Sequence, residues 1–448
     1  MFHKTPISWL CAALFASSAY AATPAAAPLE PMLSGDNGSE TRADTRLTVM
    51  PVMPVMPVLG INDADFPLEP VAAGEGDLWE RIRKGFSIPE MNTPLVSNHT
   101  ATYAARPEAF ERLGKRASRY LFYVVQELEK RGMPTELALL PVIESGFNPN
   151  AYSHAKAAGM WQFIPSTGLR YNLKQNAFRD ERRDVVASTN AALNYLQQLH
   201  SMFGDWQLAL AAYNWGEGSV RKAINRARAA GKGTDYISLS AYMPAETRNY
   251  YPKLQAVKNI VALPSQYQIR LPEIDDQPYF TSVKKTRDID VKLAAELAEM
   301  PLEDFKALNP QFNRPVITGS ADTQILLPHI NAERFKENLS NWKRTLSSWT
   351  SLRISAARER IETIAARFKT TPQVIRDANA IPPNMQPTAG STLIVPKTSI
   401  EAAEIGAEIA DNAVLGLVSE GGSRRGARAV SRESRSKPTT RTRRNATR

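Results

Sequence analysis

The residue whose type and position best suit chemistry is Glu144, which follows the apolar run of residues 139–143. A carboxylate is costly to bury, so burial here would raise its pKa and favour the protonated form. The run predicts a helix that begins near Pro134 and ends at Ser145-Gly146, because Gly usually follows a helix end. Glu144 would then lie at the negative end of the helix dipole, which also disfavours the anion. A carboxylic acid that keeps its proton near neutral pH can protonate a glycosidic oxygen.

Later clusters supply aromatic faces that stack on sugar rings and amides that bind hydroxyl and N-acetyl groups. They are Gly159-Met160-Trp161-Gln162, Ala212-Tyr213-Asn214 and Glu246-Thr247-Arg248-Asn249-Tyr250. Taken singly, each has a more ordinary interpretation. A helical Tyr or Trp is more often part of the core, and an Asn after a helix is more often a cap. Glu144 itself could be a structural partner of Arg248.

The order of these clusters after Glu144-Ser145-Gly146-Phe147-Asn148-Pro149 is more specific than any one of them. Over residues 76–265 it resembles the family-1 lytic transglycosylases, which share a lysozyme-like fold. The resemblance implies cleavage of the β-1,4 bond between N-acetylmuramic acid and N-acetylglucosamine in peptidoglycan, with 1,6-anhydromuramoyl products. It implies Glu144 as the sole catalytic acid and base. The substrate-binding residues that it implies are Ser145, Met160, Gln162, Tyr213, Asn214 and Tyr250.

Two other functions stay open on the residues alone. One is a hydrolytic muramidase on the same fold, and the other is a non-catalytic peptidoglycan-binding protein in which Glu144 is structural. Further acids that could act as a second catalytic carboxylate lie outside the motifs, and we interpret them as caps or surface charges. These acids are Asp180, Glu181, Asp184 and Asp205.

No metal or organic cofactor is implied. The five histidines, at positions 3, 99, 154, 200 and 329, show no metal-binding spacing such as His-Glu-x-x-His. The sequence also contains no phosphate loop, dinucleotide-binding glycine pattern or nucleophile elbow.

The elements that must position Glu144 are predicted to be helical, so the fold class is mainly α, with a lysozyme-like domain over residues 76–265. Apolar residues at helical spacing predict its helices. The predicted segments are Asp77 to Ile82, Ala109 to Lys130, Asp184 to Phe203, Trp206 to Trp215 and Tyr250 to Ala262.

Two similar α+β units follow at 279–328 and 351–396, each with the order strand, helix, helix, strand. Leu308-Asn309 in the first unit corresponds to Ala378-Asn379 in the second. The units resemble LysM modules, which bind chains that contain N-acetylglucosamine. Their usual Gly-Asp-Thr-Leu segment is degenerate in both, as Asp288-Ile289-Asp290-Val291 and Arg358-Glu359-Arg360-Ile361. We therefore expect either sugar binding or a bracing role.

The N-terminal residues predict export to the periplasm or cell envelope. Residues 1–21 have the basic start, the short apolar run and the Ala19-Tyr20-Ala21 site of a signal peptide. Cys11, the only cysteine, follows Leu10 too early in the signal for a convincing lipid-attachment site. Residues 22–75 are rich in Pro and Ala and predict an extended linker.

The net charge of +10 lies almost entirely at the other end of the chain. Residues 424–448 contain ten Lys or Arg against Glu433 alone, within a segment (399–448) that we expect to be a disordered basic tail. It could bind anionic envelope polymers or a membrane surface, or it could simply aid solubility. Nucleic acid is not expected as a partner of an exported protein.

Overall fold

A computed structural model describes residues 76–355, 359–399 and 402–419. The predicted signal peptide, the predicted linker up to residue 75 and the basic run 424–448 lie outside the described residues.

The N-terminal part of the described chain is built from helices, with short 3-10 turns at Thr135–Leu139, Ser240–Tyr242 and Pro264–Tyr267. Its helices are α1 (Leu78–Lys84), α2 (Pro94–Ala104), α3 (Pro107–Ala117), α4 (Leu121–Lys130), α5 (Leu140–Ser145), α6 (Pro165–Arg170), α7 (Val185–Phe203), α8 (Trp206–Trp215), α9 (Glu217–Ala229), α10 (Tyr236–Leu239) and α11 (Ala245–Ala262).

Side-chain caps set the two helix starts that the sequence predicted best. The Asp184 carboxylate accepts hydrogen bonds from the N–H groups of Val186 and Ala187, and α7 begins directly after it. Asp205 accepts from the N–H of Leu208 in the same way at the start of α8. The predicted bounds of these two helices therefore agree with the structure.

One predicted helix is wrong, because residues 109–130 do not form a continuous element. The chain turns between α3 and α4, where the Ser118 hydroxyl donates to the carbonyl of Lys115. Side-chain hydrogen bonds of this kind compete with the helix ladder. The turn buries Tyr120, whose hydroxyl donates to the carbonyl of Ala307 at 2.7 Å. Tertiary packing of Tyr120 thus accounts for the break.

Helix α11 begins at Ala245, five residues before the predicted start at Tyr250. The Glu246–Tyr250 cluster therefore lies on its first turns. α11 contacts α2, α5 and α8, and most of its side chains are buried. Within this core the Lys258 ammonium pairs with the buried Glu136 at 3.2 Å. α11 is thus the element that joins the segments carrying the predicted site.

The C-terminal part contains the two predicted α+β units. The first consists of β1 (Phe280–Lys284), β2 (Ile289–Asp290), α12 (Val291–Leu297), α13 (Leu302–Leu308), β3 (Val316–Ile317), β4 (Gln324–Pro328) and a following α14 (His329–Asn341). The second consists of β5 (Trp349–Arg353), α15 (Ile361–Arg367), α16 (Pro372–Asn379), β6 (Met385–Pro387) and β7 (Thr392–Pro396). β1 pairs with β4 and β5 with β7, both antiparallel.

An asparagine at the end of the second helix ties each unit together in the same way. The Asn309 amide donates to the carbonyl of Leu326 at 2.8 Å and accepts from its N–H at 2.8 Å. Asn379 makes the same pair of hydrogen bonds with Ile394, again at 2.8 Å each. This shared contact supports the duplication that the sequence indicated. The predicted fold class, a mainly α chain with small α+β modules, is confirmed.

The predicted start of the disordered tail, at residue 399, is too early, because residues 402–419 are ordered. They form α17 (Ala407–Asp411) and β8 (Leu417–Ser419), and β8 pairs with β6. Ile405, Ala410 and Ala413 are buried in a cluster that includes Phe178 of the helical domain. Burial of these apolar residues thus orders a segment that we predicted, from composition, to be part of the disordered tail.

Throughout the described ranges, each helix is too short or too polar to cross a bilayer.

Candidate active site

Glu144 lies one residue before the end of α5, as the sequence predicted. The predicted start near Pro134 is wrong, because residues 135–139 form a 3-10 turn and α5 begins at Leu140. Gly146 closes the helix in the left-handed conformation, with φ 60°, and its N–H donates to the carbonyl of Val142 at 3.2 Å. The Arg116 guanidinium donates to the carbonyl of Gly146 at 2.7 Å and fixes the turn from the neighbouring α3. The catalytic candidate therefore stands on a short helix held at its C-terminal end.

Tyr250 reaches Glu144 from α11. Its hydroxyl donates a hydrogen bond to Oε1 of Glu144, and the Tyr250 side chain is 6% exposed. Because Oε1 accepts this bond, Oε2 is the oxygen left to carry an acidic proton. The carboxyl group is thereby oriented by a neutral donor.

Burial raises the pKa of Glu144 to about 7. The hydrogen bond from Tyr250 lowers the pKa, the negative charge of Glu246 raises it, and the positive charge of Lys253 lowers it. Burial outweighs the opposing contributions. Glu144 therefore keeps its proton over much of the range in which an ordinary glutamate is ionised.

Ser145 and Met160 connect α5 to the loop that follows it. The Ser145 hydroxyl donates to the carbonyl of Met160 at 2.9 Å and accepts from the N–H of Asn148 at 3.2 Å. Met160 is 1% exposed, so its side chain belongs to the core. In this structure both residues fix the loop that follows Glu144, and their contact with substrate stays a prediction.

Trp161 and Gln162 have different surroundings although they are adjacent. Trp161 is fully buried and its indole N–H donates to the Thr189 hydroxyl at 3.0 Å, so it packs in the core rather than offering a face to sugar. Gln162 is partly exposed, has a φ of 51° and donates its amide N–H to the carbonyl of Gly159 at 2.8 Å. Of the two, Gln162 is the one able to meet a ligand.

Tyr213 contacts the Trp161 segment and is close enough to Glu144 for the charge of Glu144 to affect its pKa. Its hydroxyl donates to the carbonyl of Trp161 at 2.8 Å. Burial raises the pKa of Tyr213 well above its usual value, and the nearby charge of Glu144 adds to this rise. Its ring centroid lies 5.4 Å from that of Tyr195. Tyr213 therefore remains a neutral side chain beside Glu144.

Asn214 is oriented by two residues of α11. The Thr247 hydroxyl donates to Oδ1 of Asn214 at 2.6 Å. Nδ2 of Asn214 donates to Oε1 of Glu246 at 3.2 Å. An amide nitrogen carries two hydrogens, so one N–H remains for a ligand.

Three residues that sequence reasoning missed help to shape the site, namely Glu246, Thr247 and Lys253. Glu246 and Thr247 belong to the cluster that ends in Tyr250, and their roles depend on a pairing with Asn214 that sequence cannot show. Lys253 lies one helical turn after Tyr250, and this spacing was the available signal.

The other acids have structural partners: two are helix caps, as interpreted, whereas Asp180 and Glu181 are largely buried rather than surface charges. Asp184 and Asp205 cap helices, as described above. Asp180 pairs with Arg182 at 2.7 Å, and Glu181 accepts from the N–H of Lys174 at 2.8 Å. Within the ranges that the structure covers, no group of three or more His, Cys, Asp or Glu side chains is placed to hold a metal ion.

Two family models match the chain. The transglycosylase SLT domain matches residues 123–235, and the LysM-like domain of lytic transglycosylase MltD matches residues 279–344. The first match contains Glu144, Gln162 and Asn214, and the second contains the first α+β module.

Several curated proteins are similar to this chain. Membrane-bound lytic murein transglycosylase D of Escherichia coli strain K12 is 38% identical over 270 residues, which are 60% of this chain and 59% of that protein. A tributyltin chloride resistance protein, described as putative, from Alteromonas sp. strain M-1 is 50% identical over 111 residues, 25% of this chain and 54% of that protein.

A more distant relative is membrane-bound lytic murein transglycosylase C of Glaesserella parasuis, 28% identical over 183 residues, 36% of this chain and 50% of that protein. The chain thus spans half to three fifths of the length of these relatives. The Met160-Trp161-Gln162 variant predicts a resemblance to the D subgroup, which the first relative confirms. The chain therefore contains a transglycosylase SLT domain followed by a LysM-like domain of the MltD type, and it is similar to lytic murein transglycosylases.

Proposed function

We propose that this protein is a peptidoglycan lytic transglycosylase that cleaves the β-1,4 bond between N-acetylmuramic acid and N-acetylglucosamine. The observation that carries the proposal is Glu144, whose pKa burial raises to about 7 and whose Oε1 accepts a hydrogen bond from Tyr250. An acid that is partly protonated near neutral pH is suited to act first as donor and then as base. The SLT match around it supports this reaction class.

In the first step the proton on Oε2 of Glu144 moves to the glycosidic oxygen while the bond from that oxygen to C1 breaks. The N-acetylglucosamine side leaves as an alcohol. The substrate's own N-acetyl oxygen bonds to C1 and forms an oxazolinium ion. A second protein carboxylate, which ordinary glycosidases use at this point, is not required.

In the second step the Glu144 carboxylate takes the proton of the substrate's C6 hydroxyl. The C6 oxygen then bonds to C1 as the oxazolinium ring opens, which gives a 1,6-anhydromuramoyl end. Glu144 regains its proton and no water is consumed. The Tyr250 hydrogen bond stabilises the carboxylate in the interval between the two steps.

The surrounding residues bind the glycan in this proposal. The remaining N–H of Asn214 meets the N-acetyl group, and its orientation by Thr247 and Glu246 supports that role. Gln162 and Tyr213 are proposed to contact the glycan as well; the partial exposure of Gln162 and the electrostatic effect of Glu144 on Tyr213 support these roles. Ser145 and Met160 stabilise the loop that follows Glu144 through the hydrogen bond between them.

The site of action in this proposal is the periplasm or cell envelope, reached by means of the N-terminal signal peptide. The partner is the peptidoglycan glycan strand. The two LysM-like modules either bind N-acetylglucosamine-containing chains or brace the helical domain. The basic run 424–448 could add contacts with anionic envelope polymers or a membrane surface.

A hydrolytic muramidase is the second candidate, and Glu246 is the observation that favours it. Glu246 is exposed, and its charge acts on Glu144 directly enough to raise the Glu144 pKa. A carboxylate in that position could activate water. The hydrogen bond from Asn214 gives Glu246 a positioning role instead.

Mass spectrometry of the fragments released from whole sacculi tests the proposal. The wild-type protein should release fragments with 1,6-anhydromuramoyl ends, whereas reducing N-acetylmuramic ends would establish hydrolysis. Glu144→Gln should release neither while it remains folded and still sediments with peptidoglycan. Full activity of Glu144→Gln would remove Glu144 from the mechanism, and a wild-type protein that binds without cleaving would establish a binding protein.

A further inference from the structure

Lys253 is a partly exposed cation on α11, one helical turn after Tyr250 and two turns after Glu246. Residues three and four apart on a helix share a face, so Lys253 continues the row that bears the Glu144-contacting tyrosine. Its positive charge acts on Glu144 and also on His99, a partly exposed residue whose ring nitrogen bonds Oδ1 of Asn249 at 2.7 Å. Lys253 therefore lies at the edge of the candidate active site.

The other two cations of α11 have protein partners. Arg248 donates to the carbonyls of Ser240 and Met243 at 3.0 and 3.1 Å. Lys258 pairs with Glu90 at 2.8 Å and with Glu136. Lys253 differs, since no described residue forms a hydrogen bond or an ion pair with its ammonium group.

The groups on which the charge of Lys253 acts do not form an ion pair with it. Glu144, the acid on which it acts, is only partly ionised near pH 7. His99 contributes no negative charge, and burial and Lys253 both lower the pKa of its ring. A partly exposed lysine whose ammonium has no ion-pair partner among the described residues is available to an anion supplied from outside.

We propose that Lys253 is a specificity-determining residue that binds a carboxylate attached to the muramoyl unit of the substrate. The inference rests on the proposed function, because that substrate places an acidic substituent close to the bond that is cleaved. The carboxylate has two sources: the lactyl group of a strand without peptides, or the stem peptide of a strand that carries them. Chains of N-acetylglucosamine alone lack both.

The experiment compares Lys253→Met and Lys253→Arg with the wild-type protein on three probes. These are peptide-free glycan strands, the same strands with lactyl carboxyls converted to amides, and peptide-bearing strands. Lys222→Met, which removes an exposed lysine from α9, is the matched control for loss of one charge. Thermal unfolding establishes that each variant is folded.

We expect Lys253→Met to raise KM by about 10-fold on strands that bear the recognised carboxylate, with a much smaller change in kcat. Lys253→Arg should recover part of the loss and Lys222→Met should show none. An effect that disappears on amidated peptide-free strands identifies the lactyl group, and an effect confined to peptide-bearing strands identifies the stem peptide. Equal losses on all three probes, or an unchanged KM throughout, would overturn the assignment.

A binding assay separates this inference from the proposed reaction. Sedimentation of Glu144→Gln and of Glu144→Gln/Lys253→Met with the same strands measures affinity without turnover. If Lys253 binds a carboxylate, the double variant binds charged strands about 10-fold more weakly and amidated strands equally well, provided the lactyl group is the source. With the stem peptide as the source, the difference appears on peptide-bearing strands alone. Absence of anhydromuramoyl products from the wild type would overturn the reaction but not this binding difference.

Discussion

The hydroxyl of Tyr250 on α11 donates a hydrogen bond to Oε1 of Glu144 at the end of α5, across 106 positions of the chain. Burial raises the pKa of Glu144, while this bond acts in the opposite direction. Burial keeps the carboxyl partly protonated near neutral pH, and the Tyr250 hydrogen bond supplies a donor for the anion. Tyr250 therefore assists Glu144 more when it acts as a base, in its ionised form, than when it acts as the proton donor.

Replacement of Tyr250 by Phe should lower kcat roughly 10- to 100-fold, the usual value of a hydrogen bond to a charged group. Loss of the donor destabilises the Glu144 carboxylate, so the pKa of Glu144 should rise further above 7. The limb of the pH–rate profile that reports this group should move to higher pH. An unchanged limb, or a move to lower pH, would show that the hydrogen bond has no part in tuning Glu144.

The variant Glu246→Gln separates the two candidate reactions. Its amide oxygen can still accept from Asn214, but the negative charge is lost. If Glu246 only positions Asn214, activity should change less than about 10-fold and the pKa of Glu144 should fall, since the Glu246 charge raises it. A loss of roughly 100-fold or more with normal folding would instead support Glu246 as the base of a hydrolase.

Glu144 should make the stability of the protein depend on pH. Its pKa rises from 4.5 to about 7 on folding, so the folded state binds more protons between these values. The free energy of unfolding should therefore fall as pH rises through this window. Glu144→Gln imitates the neutral acid, so it should be more stable than wild type at pH 8, by at most about 3 kcal/mol. The two should be nearly equal at pH 4.

Thermal unfolding at a series of pH values measures this difference. A gap between the two proteins that is constant from pH 4 to pH 8 would show that the carboxyl ionises normally in the folded state.

Asp411 should contribute to the attachment of residues 402–419 to the helical domain. Its carboxylate accepts from Nη2 of Arg179 at 2.5 Å, and the Arg179 side chain is 8% exposed. Asp411→Ala leaves a buried guanidinium with Glu181 at 3.4 Å as its remaining acid, so we expect a loss of about 1–3 kcal/mol. Glu404→Ala breaks the exposed pair with Arg287 and should cost less than about 1 kcal/mol. Urea unfolding of the two variants makes the comparison, and equal effects would count against the buried contact.

Local signals in the sequence were sufficient for the end of α5 and for the starts of α7 and α8. A glycine in the left-handed conformation ends α5, and aspartate caps begin the other two, so neighbouring residues determine these bounds. The break between α3 and α4 was not predictable in this way, since it depends on the contact of Tyr120 with Ala307 in another domain.

In the candidate site, too, local features were predictable from the sequence and contacts between distant segments were not. The position of Glu144 at an apolar helix end follows from its own segment. Trp161 was expected to suit sugar stacking, but its packing against Thr189 places it in the core. The pairing of Thr247 with Asn214 joins two helices, and the order of residues along one chain carries no direct sign of it.

The pKa of Glu144 in the substrate-free protein is the most direct test of the account. Infrared difference spectra of wild-type protein minus Glu144→Gln, recorded from pH 3 to pH 9, isolate the protonated carboxyl band of this one residue. The account predicts that the band disappears with a midpoint of about 7. A midpoint below pH 5, unchanged when glycan strands are added, would leave the proposed reaction without its proton donor.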